Sequence, residues 1–353
     1  MFNRPTGAGV ACRGLVKGLS ERGGIALSAY AVGRGTTSPP GGLPEAVPYR
    51  GWPIPARVAF TTWRRLGLPR AEHLLGSPDV VHGTNFAVPP AQAAATVVTV
   101  NDLTSIRFPE MCDRASLAYP GLVRDAFCRG ALVHVPSSFT RDEVVDLLAI
   151  PAERVRVVNW ALYPVPPIAV SPASDYLLAV GTIEPRKGYL SLVEAFAEVA
   201  EGHRSLRLLI AGAEGWGSEL LTKSVDRLGL GERVQRLGYV DDSRRLSLMG
   251  GALALVYPSL YEGFGFPPLE AMTLGLPVVA SRAGSIPEVV ADAALLAEPG
   301  DPASLAAAIT KVLEDSELRR SLAERGRERA RLFTLQRCAA EMEDLYRHAR
   351  ELR

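Results

Sequence analysis

A chain of 353 residues, 47% hydrophobic and 22% charged, is long enough for two domains that bury their own cores without metals or disulfides. Its 39 Lys and Arg balance 38 Asp and Glu to a formal charge of +1, which argues against a protein that neutralises many nucleic-acid phosphates. Cys12, Cys112, Cys128 and Cys338 show neither metal-ligand spacing nor a disulfide framework, and read as free thiols of a reducing cytoplasm.

The sequence opens on Met1-Phe-Asn-Arg-Pro-Thr-Gly-Ala-Gly9 and passes directly into helical spacing over Val10 to Leu19, with no strand ahead of it. The stretch from Arg57 to Arg70 mixes Phe60, Trp63, Leu66 and Leu68 with four arginines. Two readings stand: a surface helix whose Trp63 packs inward, or a helix lying in a headgroup layer as a peripheral membrane contact. No run approaches the ~20 apolar residues that cross a bilayer, and no charged-then-apolar leader opens the chain. The expectation is a cytoplasmic protein, with residues 57–70 as its route to the inner face of the membrane.

Asp79-Val-Val-His82, Ala95-Thr-Val-Val-Thr-Val100 and Ala131-Leu-Val-His-Val-Pro136 follow as short strands ending in polar loops. Ser137-Ser-Phe-Thr-Arg-Asp-Glu143 reads as a capped helix start, with Glu143 three residues after the Thr140 hydroxyl. Arg154-Val-Arg-Val-Val158 closes the first half, and the proline-rich stretch Tyr163 to Ser174 reads as a linker.

The second half alternates strand and helix. Tyr176-Leu-Leu-Ala-Val-Gly181 and Leu206-Arg-Leu-Leu-Ile-Ala-Gly212 are apolar runs ending in glycine, as buried parallel strands should be. Helices over Ser191 to Val199 and Ser218 to Leu228 follow them in turn. Val234 to Leu237, Ala252 to Pro258 and Pro277 to Ser281 continue the series, with a helix near Pro268 and a long amphipathic helix after Phe333. The pattern predicts an α/β fold with ligands at the carboxyl ends of parallel strands.

Informative residues are densest in Tyr257-Pro-Ser-Leu-Tyr-Glu-Gly-Phe-Gly-Phe-Pro-Pro-Leu-Glu-Ala-Met272. Gly263 and Gly265 allow close approach to a ligand, and a proline-led helix start favours an anion. Glu262 and Glu270 flank that turn; carboxylates there suit sugar or ribose hydroxyls, or else they serve only the helix start. Gly181-Thr-Ile-Glu-Pro-Arg-Lys-Gly188 sets Arg186 and Lys187 at a strand end, where a diphosphate would lie.

These motifs resemble the retaining GT-B glycosyltransferases of family four, the group 1 glycosyltransferases, and the likeness to mannosyltransferase members covers nearly the whole chain. Glu262 and Glu270, separated by seven residues that include Gly-Phe-Gly, match its acidic pair, and Thr182 to Gly188 its diphosphate loop. Ser281-Arg-Ala-Gly-Ser-Ile-Pro-Glu288 with Pro299-Gly-Asp-Pro302 is similar to its downstream signature. Asp79 to Phe86, Asn101-Asp-Leu103 with Phe108-Pro-Glu110, and Val135 to Arg141 look like acceptor-side segments.

The resemblance implies two Rossmann-like doubly wound domains facing a central cleft. Residues 1–162 would form the acceptor-side domain, 163–174 the linker, 175–332 the nucleotide-sugar-binding domain, and 333–353 a helix crossing back to the first. Glu262 would sit beside the donor sugar and Glu270 would hold the ribose hydroxyls. Arg186 and Lys187 would take the departing charge, so that neither metal nor cofactor is needed. Backbone around Gly263, Phe264, Gly265 and Leu269 would meet sugar and diphosphate, Gly7 and Gly9 would form a glycine loop closing on it, and Tyr239 and Val240 would frame the base. Asp102 and Gly181 join the donor side.

Two departures stand out. Asn101 takes the place of the family's histidine; it offers the same backbone carbonyl but cannot carry a proton at neutral pH. The family's first strand is missing, so either translation starts upstream or this sheet is incomplete. The expected reaction is transfer of a hexose, with mannose from GDP-mannose the leading donor, to a hydroxyl of a glycan, lipid-linked saccharide or small molecule, with configuration retained. Alternatives are a non-catalytic nucleotide-sugar binder or a GT-B-like nucleotide-sugar epimerase.

Overall fold

Glycine at position 18 lets the first helix, α1 (Gly7–Arg22), press against the C-terminal helix (Leu335–Glu351). A Cβ there would stand 2.7 Å from the Leu335 carbonyl oxygen. Leu15 and Leu19 bury on this seam opposite Cys338, Ala339 and Met342. The chain divides into residues 1–163 with 333–353, and residues 164–332. The structure, a computed structural model, describes residues 7–163 and 174–353, so most of the linker read over Tyr163–Ser174 lies outside the described residues. Gly7 and Gly9 require a correction: they form the first turn of α1 rather than a loop. Burial of one face over Ala11, Gly14, Leu15, Gly18 and Leu19 carries the helix back through both glycines despite their low helix propensity.

In the first unit, β1 (Ala29–Val32) and β2 (Tyr49–Trp52) pair in parallel as a ribbon, which the sequence pattern did not disclose. α2 (Ala56–Leu66) follows. Its Trp63 is 4% exposed and packs beside Phe60, whereas Leu66 is 68% exposed, so the inward reading of the tryptophan is the one the fold adopts. β3 (Val80–Gly83), β4 (Ala95–Thr99), β5 (Leu132–Val135) and β6 (Val155–Val157) form a separate parallel sheet in sequence order. α3 (Tyr119–Cys128) and α4 (Ser138–Leu148) cover it through Val123, Ala126, Val144 and Leu148. The valine and leucine side chains among these each contribute about 1.5–3 kcal/mol on burial. The cap of α4 also differs from expectation: Ser137 Oγ accepts the Thr140 N–H, while Glu143 accepts a bond from Arg107 Nε at 2.7 Å.

Between the ribbon and the sheet lies a cavity of about 850 Å³, lined by both β1 and β3 and by Cys12, Leu15, Phe60 and Tyr346. The Tyr30 hydroxyl reaches across it toward the His82 carbonyl oxygen at 3.4 Å. Taken together the strands run β2-β1, cavity, β3-β4-β5-β6. The cavity stands where a doubly wound sheet of order 3-2-1-4-5-6 keeps its first strand.

The second unit has that order in full. β7 (Tyr176–Val180), β8 (Arg207–Ala211), β9 (Val234–Gly238), β10 (Ala254–Tyr257), β11 (Val278–Ser281) and β12 (Leu295–Ala297) lie as β12-β11-β10-β7-β8-β9, all parallel. Helices α5 (Tyr189–Gly202), α6 (Ser218–Arg227), α7 (Asp242–Gly251), α8 (Phe266–Leu274), α9 (Ile286–Val290) and α10 (Pro302–Glu314) connect and cover the strands. Leu177, Phe196, Ile210, Val256 and Ile309 are fully buried in one core. Strand order reverses between β7 and β10, and the loops after these two strands are the ones that carry the charged motifs. That reversal is where an open α/β sheet forms its ligand crevice.

Candidate active site

The loops after β7 and β10 are bound to each other through their backbones. The Leu260 N–H donates to the Arg186 carbonyl at 2.8 Å, and Gly188, at φ +68°, leaves no room for a Cβ, which would fall 2.0 Å from the Pro258 carbonyl oxygen. A turn of 3-10 helix over Pro185–Lys187 then presents two adjacent cations to Glu262. Lys187 Nζ lies 2.5 Å from Oε1 and Arg186 Nη1 lies 3.1 Å from Oε2. Arg186 Nη1 also donates to the Tyr261 carbonyl at 2.9 Å.

Tyr257, the last residue of β10, completes the group. Its hydroxyl donates to Glu262 Oε1 at 2.7 Å and accepts from Lys187 Nζ at 3.2 Å. Burial alone would raise the Glu262 carboxyl, but Lys187 and Arg186 outweigh it and hold it down at about 2. The carboxylate therefore stays ionised, and Glu184, 3.6 Å from Arg186 Nη2, adds a second anion at the edge of the cluster. From the other side Ser285 fixes the loop: its hydroxyl lies 3.0 Å from the Glu262 carbonyl oxygen and 2.7 Å from that of Phe264. Gly284, at φ +56°, lets the chain pass with its Cβ position 2.3 Å from the Glu262 carbonyl oxygen.

Glu270 stands apart from this cluster, on α8. It is 8% exposed, and Arg245 of α7 meets it with a two-pronged contact, Nε to Oε2 at 2.9 Å and Nη2 to Oε1 at 2.8 Å. The two glutamates thus have separate cationic partners. Gly181 directly follows β7 at φ +147° and its carbonyl accepts the Tyr189 hydroxyl at 2.8 Å. Tyr239 and Val240 follow β9, with Tyr239 45% exposed just before α7. Gly263, Phe264 and Gly265 lie on the loop between Glu262 and α8. Leu269 is corrected as a donor to the diphosphate: its N–H closes the first helical turn onto the Gly265 carbonyl at 3.3 Å. Pro267 and Pro268 carry no N–H, so an anion at this helix start depends on amides at or before Phe266.

Gly7, Gly9, Asn101 and Asp102 belong to the other unit. Asn101 follows β4, where its Oδ1 accepts the Trp160 indole N–H at 3.1 Å and its amide donates to Asn85 Oδ1 at 3.2 Å. Asp102 Oδ1 accepts the Thr104 N–H at 2.9 Å and so serves the following turn. Beneath them His82, Thr99 and His134 form a buried chain of hydrogen bonds. Burial holds both imidazoles neutral, lowering His134 to about 4. Sequence reasoning did not find Tyr257, Arg245, Ser285 or Trp160 as site residues. Tyr257 alone had a readable signal, a hydroxyl at a strand end beside the acidic loop.

A crevice at the reversal of a doubly wound sheet, floored by an ionised glutamate and two cations, defines a sugar-transferring enzyme of the two-domain GT-B class once the relatives are considered. Residues 168–329 match the family described as glycosyl transferases group 1, and residues 5–160 match glycosyltransferase family 4. The chain is 32% identical over 282 residues to O-antigen chain mannosyltransferase B of Escherichia coli, covering 76% of this chain and 74% of that protein. Among solved structures it is similar to sucrose-phosphate synthase from Thermosynechococcus elongatus, with TM-score 0.78 at 23% identity over 97% and 93% of the two chains. It is also similar to Anabaena HepE, solved with UDP and glucose, with TM-score 0.73 at 20% identity over 98% and 97%. The chain belongs to the group 1 glycosyltransferases, with a GT-B fold and a glycosyltransferase function. Among the described residues no helix is long and apolar enough to cross a membrane.

Proposed function

We propose that the protein transfers a hexose, mannose from GDP-mannose, to a hydroxyl acceptor with retention of configuration. The observation that carries this reading is the Glu262 carboxylate clasped by Lys187 at 2.5 Å and Arg186 at 3.1 Å at the strand-order reversal. Lys187 and Arg186 stand side by side at this turn as ammonium and guanidinium donors for a diphosphate, with Glu262 and Glu184 as their counter-charges. As the bond from the sugar C1 to the diphosphate oxygen breaks, Arg186 and Lys187 take the growing negative charge. The acceptor oxygen then bonds C1 on the face the diphosphate leaves, and its proton passes to the departing phosphate oxygen. Glu262 stays ionised throughout, orients the two cations and receives a sugar hydroxyl. The cationic role is thus filled by side chains, and chelation of divalent metal should leave the rate unchanged.

The donor choice is supported by the relation to the O-antigen chain mannosyltransferase. The acceptor would be a glycan, lipid-linked saccharide or small molecule bearing a hydroxyl. A membrane contact through residues 57–70 would fall to Val58, Leu66 and Leu68 with Arg57 and Arg65, all exposed; flotation with anionic vesicles tests it. The central experiment is a panel of nucleotide sugars, scored by thermal protection and by slow hydrolysis or transfer. GDP-mannose should protect and turn over, with the anomeric configuration of the product read by NMR. Absence of protection by every nucleotide sugar would sink the reading, and protection by another donor alone would replace the mannose assignment.

A further inference from the structure

Arg245 has no role in the chemistry derived so far, yet its placement is specific. It lies in α7, four residues into the helix that follows Tyr239 and Val240, and its side chain is 19% exposed. Nε and Nη2 grip the two oxygens of Glu270 separately, at 2.9 and 2.8 Å, while Nη1 is held by Asp242 Oδ1 at 2.6 Å. All three nitrogens of the guanidinium are therefore engaged, and its plane is fixed. A carboxylate offers about four lone-pair sites, two on each oxygen. The fork occupies one site on each oxygen and leaves one on each. Two acceptors so disposed match a pair of neighbouring hydroxyls.

We propose that Arg245 is the positioning residue that makes Glu270 a receptor for a vicinal diol, and that the pair selects ribonucleotide over deoxyribonucleotide donors. The inference rests on the reading of Glu270 as the ribose grip and adds the residue that gives the grip its geometry. Two physical arguments support it. A lone carboxylate 8% exposed would tend to take up a proton and lose an acceptor site, and the Arg245 guanidinium pulls against that. Only arginine presents a planar fork that matches both carboxylate oxygens; lysine offers one rotating point charge and would let the carboxylate turn.

The test compares dissociation constants, by calorimetry, of GDP and UDP with those of their 2′-deoxy forms. The proteins are the full chain and its Arg245→Lys, Arg245→Gln and Glu270→Gln variants, each checked for a cooperative unfolding transition. A hydrogen bond to a charged group corresponds to about a tenfold ratio or more in affinity. The wild type should show that preference for whichever ribonucleotide it binds. Glu270→Gln and both Arg245 variants should fall toward a ratio of one. Arg245→Lys keeps a cation for folding, so the comparison survives if Arg245→Gln does not fold. If the Arg245 variants keep the wild-type ratio while Glu270→Gln loses it, Arg245 merely pins α7 and the proposal falls with the ribose reading intact. If the wild type itself shows no preference, both readings fall together. Tighter ribonucleotide binding by Arg245→Gln would make Arg245 a competitor of the ribose and overturn the proposal.

Discussion

Replacing Glu262 by Gln separates stability from binding and from turnover in a single substitution. The amide keeps the shape and one acceptor but removes the charge that two cations and a hydroxyl address, at 2.5, 3.1 and 2.7 Å. Arg186 and Lys187 are then left beside each other with side chains only 17% and 14% exposed. Loss of one member of a buried ion pair costs about 3–5 kcal/mol, and the retained amide oxygen moves the expectation to about 3 kcal/mol. The acid–base behaviour gives the same size: a carboxyl held at about 2 rather than 4.5 corresponds to about 3 kcal/mol at neutral pH. Urea unfolding of the variant should therefore show a destabilised transition. Nucleoside diphosphate should bind at least as tightly as to the wild type, because Lys187 has lost its counter-charge and Arg186 keeps only Glu184 at 3.6 Å. Sugar transfer should fall by two orders of magnitude or more. Wild-type stability together with weakened diphosphate binding would refute the reasoning, since Glu262 would then be neither the counter-charge of the cations nor a group apart from the diphosphate.

Acid should remove the same contribution without mutation. Because the folded carboxyl lies below its ordinary value, the Glu262 contribution is full above about 4.5 and lost as pH falls toward 2, whereas Glu270, raised by burial against the pull of Arg245, acts in the opposite sense. Stability of Glu262→Gln measured down to pH 3 should accordingly fall less steeply with acid than that of the wild type, the remaining loss coming from carboxylates such as Glu72, also held at about 2. Gly284→Ala places a Cβ 2.3 Å from the Glu262 carbonyl oxygen at φ +56°, so about 1–3 kcal/mol and most of the transfer rate should be lost; an unchanged rate would show that the loop position is immaterial. In the other unit, Trp63→Ala should cost about 3–5 kcal/mol by denaturant unfolding, whereas Leu66→Ser, at a side chain 68% exposed, should stay within about 0.5 kcal/mol.

The parts of the fold legible in the sequence were those where every residue of a run is buried. Leu177, Leu178 and Ala179 of β7 and Ala254, Leu255 and Val256 of β10 are all fully buried, and their runs end where the charged loops begin. The ribbon of β1 and β2 was not legible because Tyr49-Arg-Gly-Trp52 is half-exposed and has no apolar run to mark it. Short range also limits what a motif can say. Glu262 lies on the loop just five residues after Tyr257 at the end of β10, but Arg245 reaches a glutamate 25 positions on, and Trp160 reaches Asn101 across 59. Arg244-Arg245 reads as a solvated helix face until the packing of α7 on α8 turns one of the two inward. At the helix cap, Ser137 and Thr140 are both hydroxyls three positions ahead of a plausible partner, and only the backbone bend at Ser137 decides between them.

The cavity between β1 and β3 has a consequence for how the first unit meets solvent. Unpaired strand edges ordinarily invite another chain to add to the sheet. Here the two edges face each other across about 850 Å³, with α1 and the C-terminal helix along the walls, so they are screened from a passing neighbour. Much of the wall is apolar, with Leu15, Leu19, Val32, Phe60 and Val81 among its lining side chains. The ribbon and the four-stranded sheet therefore share no strand ladder among the described residues, and side chains such as Tyr30, whose hydroxyl lies 3.4 Å from the His82 carbonyl oxygen, join them instead.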